Sequence, residues 1–456
     1  NFQKAVDLLK RSLDLKDSIN TYAQLTDAHI KTGDMETAER FSSEGYDSYV
    51  EKTKKQSERR QTEKSAQNAN ARETAMNRIR YLILEAQGRH GEAEQYLRKT
   101  LDLSRSESLK ERQPRNTINT RMQLSQNLTR QDRLMEAEIE ARQAVKEALG
   151  FGGIESDLTA KAVRRLAGVM LANRRINDAE QLARAAIRIL DSASFPSDSH
   201  EMGTTRMFLG KVLTEKEDFP EAMKQFDLAR EGMKENLYLY ETKFTRDRKL
   251  TLTLLKTGRL DEAMRIISSD YEWHRKNFGE KHPETMKSLG LRGMANAMAG
   301  NDRQAFDDLS SALPVLMKHD SKKGDDSHQI KRAILETYID LLGRIYGTPL
   351  EKELGIRASD EAFRIAGYLG SQSLQTALGE SSARAAAAYD PQLSDLVRRD
   401  QDMQKQIQAL QENLSDAMMA PPDQQNPKAL NTLKTAIENM IRARNFILDE
   451  INRRFP

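Results

Sequence analysis

The stretch TRDRKLTLTLLKTGRLDEAMRIISSD, residues 245–270, reads as two helices and the turn between them. Its first half carries Leu250, Leu254 and Leu255 at helical spacing and stops at Thr257-Gly258, where glycine supplies the left-handed residue that closes a helix. Its second half starts near Leu260 and sets Ala263, Ile266 and Ile267 on one face. Ala263 belongs to a series: Ala38, Ala93, Ala137, Ala179, Ala222, Ala263 and Ala305. The spacings are 55, 44, 42, 43, 41 and 42 residues. A period of this size predicts stacked helical repeats, each burying one face against its neighbours.

The next unit repeats the pattern with Leu289, Gly293, Gly300, Ala305 and Leu309. A small residue in the first helix, as at Gly210 and Gly293, lets two backbones approach, and the repeated alanine does the same from the second helix. Ala5 lies 33 residues before Ala38, so Phe2 to Leu15 reads as the second helix of a repeat whose first helix is missing. The wide gap between Ala38 and Ala93 holds an insertion. Residues 51–73 contain no apolar residue except three alanines, and no Pro or Gly. That stretch reads as an extended, solvated helix, with a disordered loop as the alternative.

Composition fits a solenoid. The chain has 456 residues, 38% hydrophobic and 31% charged, more than one compact core holds. Its 72 basic and 69 acidic groups leave a net charge of +3, which gives no case for nucleic acid or an anionic membrane. Cysteine is absent, which excludes disulfides, thiolate metal sites and a cysteine nucleophile within these residues. No apolar run approaches the ~18 residues of a membrane span. The expected compartment is the cytoplasm. Both ends, Asn1-Phe2 and Phe455-Pro456, look cut from something longer.

The repeat resembles the tetratricopeptide repeat (TPR), in the 42-residue variety of kinesin light chains. Phe278-Gly279-Glu280-Lys281-His282-Pro283-Glu284-Thr285 resembles the inter-repeat turn of that family, with degenerate copies at Phe151-Gly152-Gly153 and from Phe195 to Glu201. The resemblance covers residues 1–350 and implies a right-handed superhelical solenoid of seven or eight repeats. Proline there presets the backbone for the next helix.

After a transition segment, 351–390, heptads take over. Leu393, Leu396, Asp400, Met403, Ile407, Leu410, Leu414 and Ala417 alternate by three and four; Ala420-Pro421-Pro422-Asp423 breaks the helix; Leu430, Leu433, Ile437, Met440, Arg444, Ile447 and Ile451 resume it. Residues 391–456 therefore read as an antiparallel coiled-coil hairpin, with Asp400 and Arg444 as the charges of its seams. Ala362-Phe363, Gln372-Ser373, Ala383-Arg384, Asp390-Pro391, Leu396-Val397-Arg398, Gln401-Asp402 and the ending Leu448 to Pro456 resemble the segment upstream of CHAT domains, caspase-like cysteine peptidases found behind bacterial TPRs. The resemblance implies that a peptidase domain follows Phe455-Pro456; its histidine and cysteine have no counterpart in this chain.

Within the chain, no catalytic, cofactor or metal site is expected. His200-Glu201 lacks a second histidine where Thr204 stands, and His319, Asp320, Asp325, Asp326 and His328 read as a solvated loop. Two sets of first-helix residues point to partner binding. Arg164, Lys211, Arg248 and Lys287 place one base per repeat near the concave face, where they could clamp an acidic peptide; solvated helix charges are the plainer reading. Met122, Met207 and Met294 recur at sites facing the same groove, either as an adaptable binding surface or as packing. The expected function is a protein-interaction scaffold that controls a CHAT peptidase in cis; the alternative is a stand-alone scaffold or peptide sensor. Self-association stays open.

Overall fold

The structure, a computed structural model, describes residues 2–15, 18–32, 35–57, 63–86, 90–104, 114–131, 133–235, 240, 244–245, 247–281, 283–318, 327–370, 395–396, 399, 403 and 427–454. Among these residues there is no strand. A lone helix, Phe2–Leu15, precedes seven helix pairs. The first helices are Ile19–Thr32, Glu63–Ala86, Pro114–Arg130, Asp157–Ala172, His200–Glu215, Arg248–Lys256 and Pro283–Met298. Their second helices are Met35–Ser57, His90–Ser104, Leu134–Gly152, Ile176–Ser192, Phe219–Met233, Leu260–Phe278 and Asp302–Lys318. Ser327–Ile345, Pro349–Leu354 and a helical stretch at 358–370 follow.

The repeated alanine is the fourth residue of every second helix, and all seven are 0% exposed. The turns explain why this position recurs. The N–H groups of Arg133, Arg175, Asp218, Arg259 and Asn301 each donate to a carbonyl five residues back, all at 2.9 Å. The alanine four residues later then donates its own N–H to that same turn residue, at 2.9–3.0 Å. One bond closes the first helix and the other opens the second, so the alanine is fixed at the crossing of the two. Just before the turn residue the chain is left-handed: Gly258 has φ 77° and Gly300 has φ 80°. Two repeats do this without glycine, at Arg174 (φ 61°) and Glu217 (φ 64°).

Small residues twelve positions before the alanine complete the packing. A Cβ on Gly210 would meet the Phe226 ring at 3.0 Å, and Ser125, at the same register, donates its hydroxyl to the Ala137 carbonyl at 2.8 Å. The inter-repeat turns also recur. Gly153 (φ 73°) and Gly279 (φ 89°) end second helices, and the threonine six residues on, Thr159 or Thr285, donates its hydroxyl back to the glycine carbonyl at 2.7 and 2.8 Å. The degenerate turn at Phe151-Gly152-Gly153 thus keeps the bond of the well-matched one.

The insertion corrects one expectation. Where described, 51–57 closes one helix and 63–73 opens the next, but the stretch is not fully solvated. Asn70, Arg72 and Glu73 are half-buried, and Arg72 Nη1 donates to the Lys52 carbonyl at 3.3 Å, so the two extensions pack on each other.

The described contacts divide the chain into two compact units, Asn1–Thr205 and Arg206–Pro456. In the C-terminal segment, Pro427–Arg454 is one helix. Leu396, Ile437 and Ile447 are buried and Arg444 is half-buried. Asp400, the Pro421-Pro422 break and most of the first arm lie outside the described residues, and so does the pairing of Asp400 with Arg444. The loop of His319 to Asp326 lies outside them too.

Candidate binding face

Counted back from the repeated alanine, the expected binding residues fall on one stripe of the first helix. Lys161 and Lys287 stand eighteen residues before it, Arg164, Arg248, Met122 and Met207 fifteen, Lys211 and Met294 eleven. These offsets differ by three and four, the spacing of one helix face.

The bases on that stripe are engaged by acids. Arg164 Nη2 lies 3.9 Å from Glu201. Lys211 pairs with Asp247, the residue whose carboxylate also caps the helix Arg248–Lys256. Arg248 Nη1 reaches Glu284 at 2.6 Å, and Lys287 Nζ reaches the same carboxylate at 2.8 Å. Lys161 bridges Asp157 and Glu201 at 3.1 and 3.0 Å, and Arg115 meets Asp157 at 3.2 Å. The acid usually sits on the next first helix, 36 to 42 residues on. These pairs bind one repeat to the next. Burial opposes ionisation of Glu284, but Arg248 and Lys287 outweigh it and hold the carboxyl down at about 2.

The methionines take the packing alternative. Met294 and Met207 are 1% and 7% exposed, and half-buried Met122 packs against Ile118, Ala144, Ala148, Leu158 and Ala162. They pack between helices, Met122 only in part.

Sequence reading missed a second set of ion pairs in the turns. Arg133 reaches Glu94 and Glu136, both at 2.5 Å; Arg175 reaches Glu138 at 3.3 Å and Asp178 at 2.7 Å; Arg259 reaches Asp227 at 2.8 Å and Glu262 at 2.5 Å. In each case the fork spans the acid of its own helix start and an acid on the preceding second helix. The turn arginine recurs at a fixed offset from the alanine, four residues before it, and that was the available signal.

Some first-helix cations meet no acid: Arg80 lies over the Tyr46 ring, and Arg206 reaches only Gln225 Oε1, at 3.3 Å. Arg165 makes no hydrogen bond or ion pair among the described residues. It is half-buried, and its Nε is shut off from solvent without a partner, as is the Nε of neighbouring Arg164. Burial pushes the Arg165 guanidinium down to about 10; Arg164 and Arg130 push the same way, and Tyr81 opposes them. The nearby acid is already engaged: Glu85 pairs with Arg130, accepts from Asn127 Nδ2 at 2.7 Å, and lies 3.2 Å from His90 Nδ1. Tyr81 is buried, and burial together with Glu85 raises its hydroxyl to about 12. Tyr81, Arg130, Arg164 and Arg165 stand on three successive first helices, Glu63–Ala86, Pro114–Arg130 and Asp157–Ala172.

The equivalent position elsewhere shows what Arg165 lacks. Arg165 precedes its repeated alanine by fourteen residues, as Lys249 does. Lys249 is 1% exposed and is paired with Glu215, while its Nζ also donates to Gln329 Oε1 at 2.8 Å. Glu215 stands seven residues before the alanine of the preceding repeat. The residue at that register facing Arg165 is Arg130. Where one repeat puts an acid, the other puts a base.

No protein-family model and no curated protein matches this chain. Solved structures similar to it are helical-repeat proteins. A Podosopora anserina putative kinesin light chain with nearly identical TPR-like repeats shares 15% identity over 45% of this chain and 97% of its own, with a TM-score of 0.37. The apo form of RapI shares 14% identity over 83% and 93%, with a TM-score of 0.45. YrrB, described as a TPR protein with an unusual peptide-binding site, shares 16% over 51% and 97%, with a TM-score of 0.31. The repeat assignment stands on the helix pairs and turns themselves. Those helix pairs and turns define an all-α helical-repeat protein. No helix among the described residues is long and apolar enough to cross a membrane.

Proposed function

We propose that this chain is a protein-interaction scaffold whose first-helix face receives a protein or peptide partner. The observation that carries the reading is the repeat architecture. Each helix pair uses its apolar residues, and most of its face charges, to hold its neighbours. Within each of the two units the result is a surface whose conformation is held by its neighbours before a partner arrives, which lowers the ordering cost of binding. The test is photo-crosslinking of peptide-library binders to the full chain. Crosslinks on the first helices support the assignment; crosslinks confined to second helices overturn it.

A finer reading is that the scaffold regulates a C-terminal caspase-like CHAT peptidase in the cytoplasm, with the hairpin of 391–456 as the connection. Its support is the resemblance of residues 358–456 to the region upstream of CHAT domains. The purified chain is then expected to have no peptidase activity, and the gene beyond Pro456 to encode a histidine–cysteine pair within a few dozen residues. A gene that stops there, or continues into an unrelated domain, favours the stand-alone scaffold.

A further inference from the structure

We propose that Lys249, Glu215 and the Thr214 carbonyl form a carboxamide-binding site on the first-helix face of the unit Arg206–Pro456, that Gln329 of the chain itself fills it, and that a partner's glutamine or asparagine side chain takes its place. The inference rests on the partner-binding reading above and names one group that the face reads.

In a stack of helical repeats each repeat is expected to touch only its neighbours. Gln329 departs from that rule. It stands on the helix Ser327–Ile345, which follows the seventh pair. Its Oε1 accepts from Lys249 Nζ at 2.8 Å, 80 residues back, and its Nε2 donates to the Thr214 carbonyl at 2.8 Å, 115 residues back. Those partners belong to the sixth and fifth pairs, so both bonds skip the seventh. Gly290 accounts for the approach. Fifteen residues before the repeated alanine, where other repeats carry Arg164, Met207 and Arg248, the seventh carries this glycine. A Cβ there would meet Ile334 Cδ1 at 2.7 Å and Cγ2 at 3.1 Å. Ile334 occupies the space of the absent side chain, and its helix comes close enough for Gln329 to reach across.

The contact is separable from the helix that carries it. Ile330 and Ile334 are 0% exposed, and Tyr338 is 1% exposed with its ring centroid 5.9 Å from that of Phe306 in the seventh pair. These residues anchor the helix. Gln329 is its third residue, only half-buried, and a glutamine side chain turns about several bonds. Its two hydrogen bonds can break and re-form while the helix stays in place, as expected of an element's first turn.

The chemistry of the site selects what can replace Gln329. Lys249 is paired with Glu215, so the site has no net charge to offer an ionic ligand. It presents an ammonium that donates and a carbonyl that accepts. A carboxamide matches both at once; a carboxylate lacks the donor, and an ammonium or guanidinium lacks the acceptor. A ligand that leaves either buried atom unmatched forfeits the hydrogen bond that Gln329 now makes.

The experiment uses the full chain and its Gln329→Ala variant, with two readouts. The first is acetylation of Lys249 by N-acetoxysuccinimide, followed by mass spectrometry. It should be at least tenfold faster in the variant, while acetylation of Lys224, whose side chain is 67% exposed, stays the same. The second is anisotropy of a labelled decapeptide of alternating glutamine and glycine, against its glutamate counterpart. The variant should bind the glutamine peptide at least tenfold tighter than the parent does, with no such gain for the glutamate peptide. Should Gln329→Ala fail to fold, Gln329→Met decides: it keeps the bulk and loses both hydrogen bonds, so it should also speed Lys249 acetylation. An unchanged Lys249 rate, no gain for the glutamine peptide, or an equal gain for both peptides overturns the proposal. Peptide-library crosslinks on first helices, with neither readout changed in the variant, sink this site and leave the scaffold reading; crosslinks confined to second helices sink both.

Discussion

A Cβ on Gly293 would lie 2.6 Å from Cγ of Leu309 and 3.0 Å from its Cδ2, so the two helices of that repeat touch where the side chain is missing. Gly293→Ala must push the helices apart or force Leu309 from its rotamer. We expect a loss of about 1–3 kcal/mol in denaturant unfolding, the usual cost of overpacking. Gly343 is the control: it lies inside the helix Ser327–Ile345 with nothing within 4 Å of its would-be Cβ. There alanine should stabilise by about 0.5–1 kcal/mol through helix propensity. Loss at both positions would show that backbone conformation, not contact, dominates.

The repeated alanines make the parallel case from the second helix. Ala263 is 0% exposed, and added methylenes find no space. Ala263→Leu should lower the melting temperature, whereas Ala71→Leu, at an exposed site in the helix Glu63–Ala86, should leave it unchanged. Equal tolerance at the two sites would contradict the repeat frame.

The frame was legible because it is written in local chemistry. An alanine and a turn recur at a near-constant interval, and hydrogen bonds fixed by that turn put each alanine at the same helix position. The charge pattern was not legible. Arg248 and Glu284 are 36 residues apart and meet only because two first helices stack. Read one helix at a time, Arg248 is simply a base on a face, and its acid looks like part of another turn. Arg165 was hidden for the same reason. Beside Arg164 it looks equivalent. Only the residue at its facing register, Arg130 in place of an acid such as Glu215, sets it apart, and that comparison requires the repeats to be aligned first.

The left-handed turn residues give a prediction of opposite sign. Arg174 at φ 61° and Glu217 at φ 64° occupy a region that costs a side-chain-bearing residue ~1–2 kcal/mol. Arg174→Gly should therefore raise the melting temperature, while Gly258→Ala, at φ 77°, should lower it. Thermal unfolding of the two single variants checks both signs. A destabilised Arg174→Gly would mean that glycine's extra freedom in the unfolded chain outweighs the strain.

Glu284 gives the pH dependence. Burial raises its pKa, but Arg248 and Lys287 prevail and bring it to about 2. A carboxyl depressed in the folded state contributes stability at pH values above its ordinary value, near 4.5. That contribution is lost as pH falls from about 5 towards 2. Glu284→Gln should melt lower than the parent at pH 7, and the gap should close on acidification. Melting temperatures at pH 7, 5 and 3 decide it: a gap independent of pH would place the effect in packing, not in the charge.

The last prediction concerns Lys249, Glu215 and Gln329. Lys249 is 1% exposed, and Glu215 is 14% exposed. Gln329 accepts from Lys249 Nζ at 2.8 Å and donates to the Thr214 carbonyl at 2.8 Å. The helices His200–Glu215, Arg248–Lys256 and Ser327–Ile345 are thereby tied through one buried ammonium. Lys249→Met leaves Glu215 without its counter-charge, and removal of one partner of a buried pair costs about 3–5 kcal/mol. Adding Glu215→Leu removes the stranded charge and should recover most of that loss, since a well-packed apolar pair often equals an ion pair in stability. Urea unfolding of the parent, both single variants and the double variant gives the coupling. If the double variant loses the sum of the two single losses, the two side chains act independently and the ammonium is not the tie between these helices.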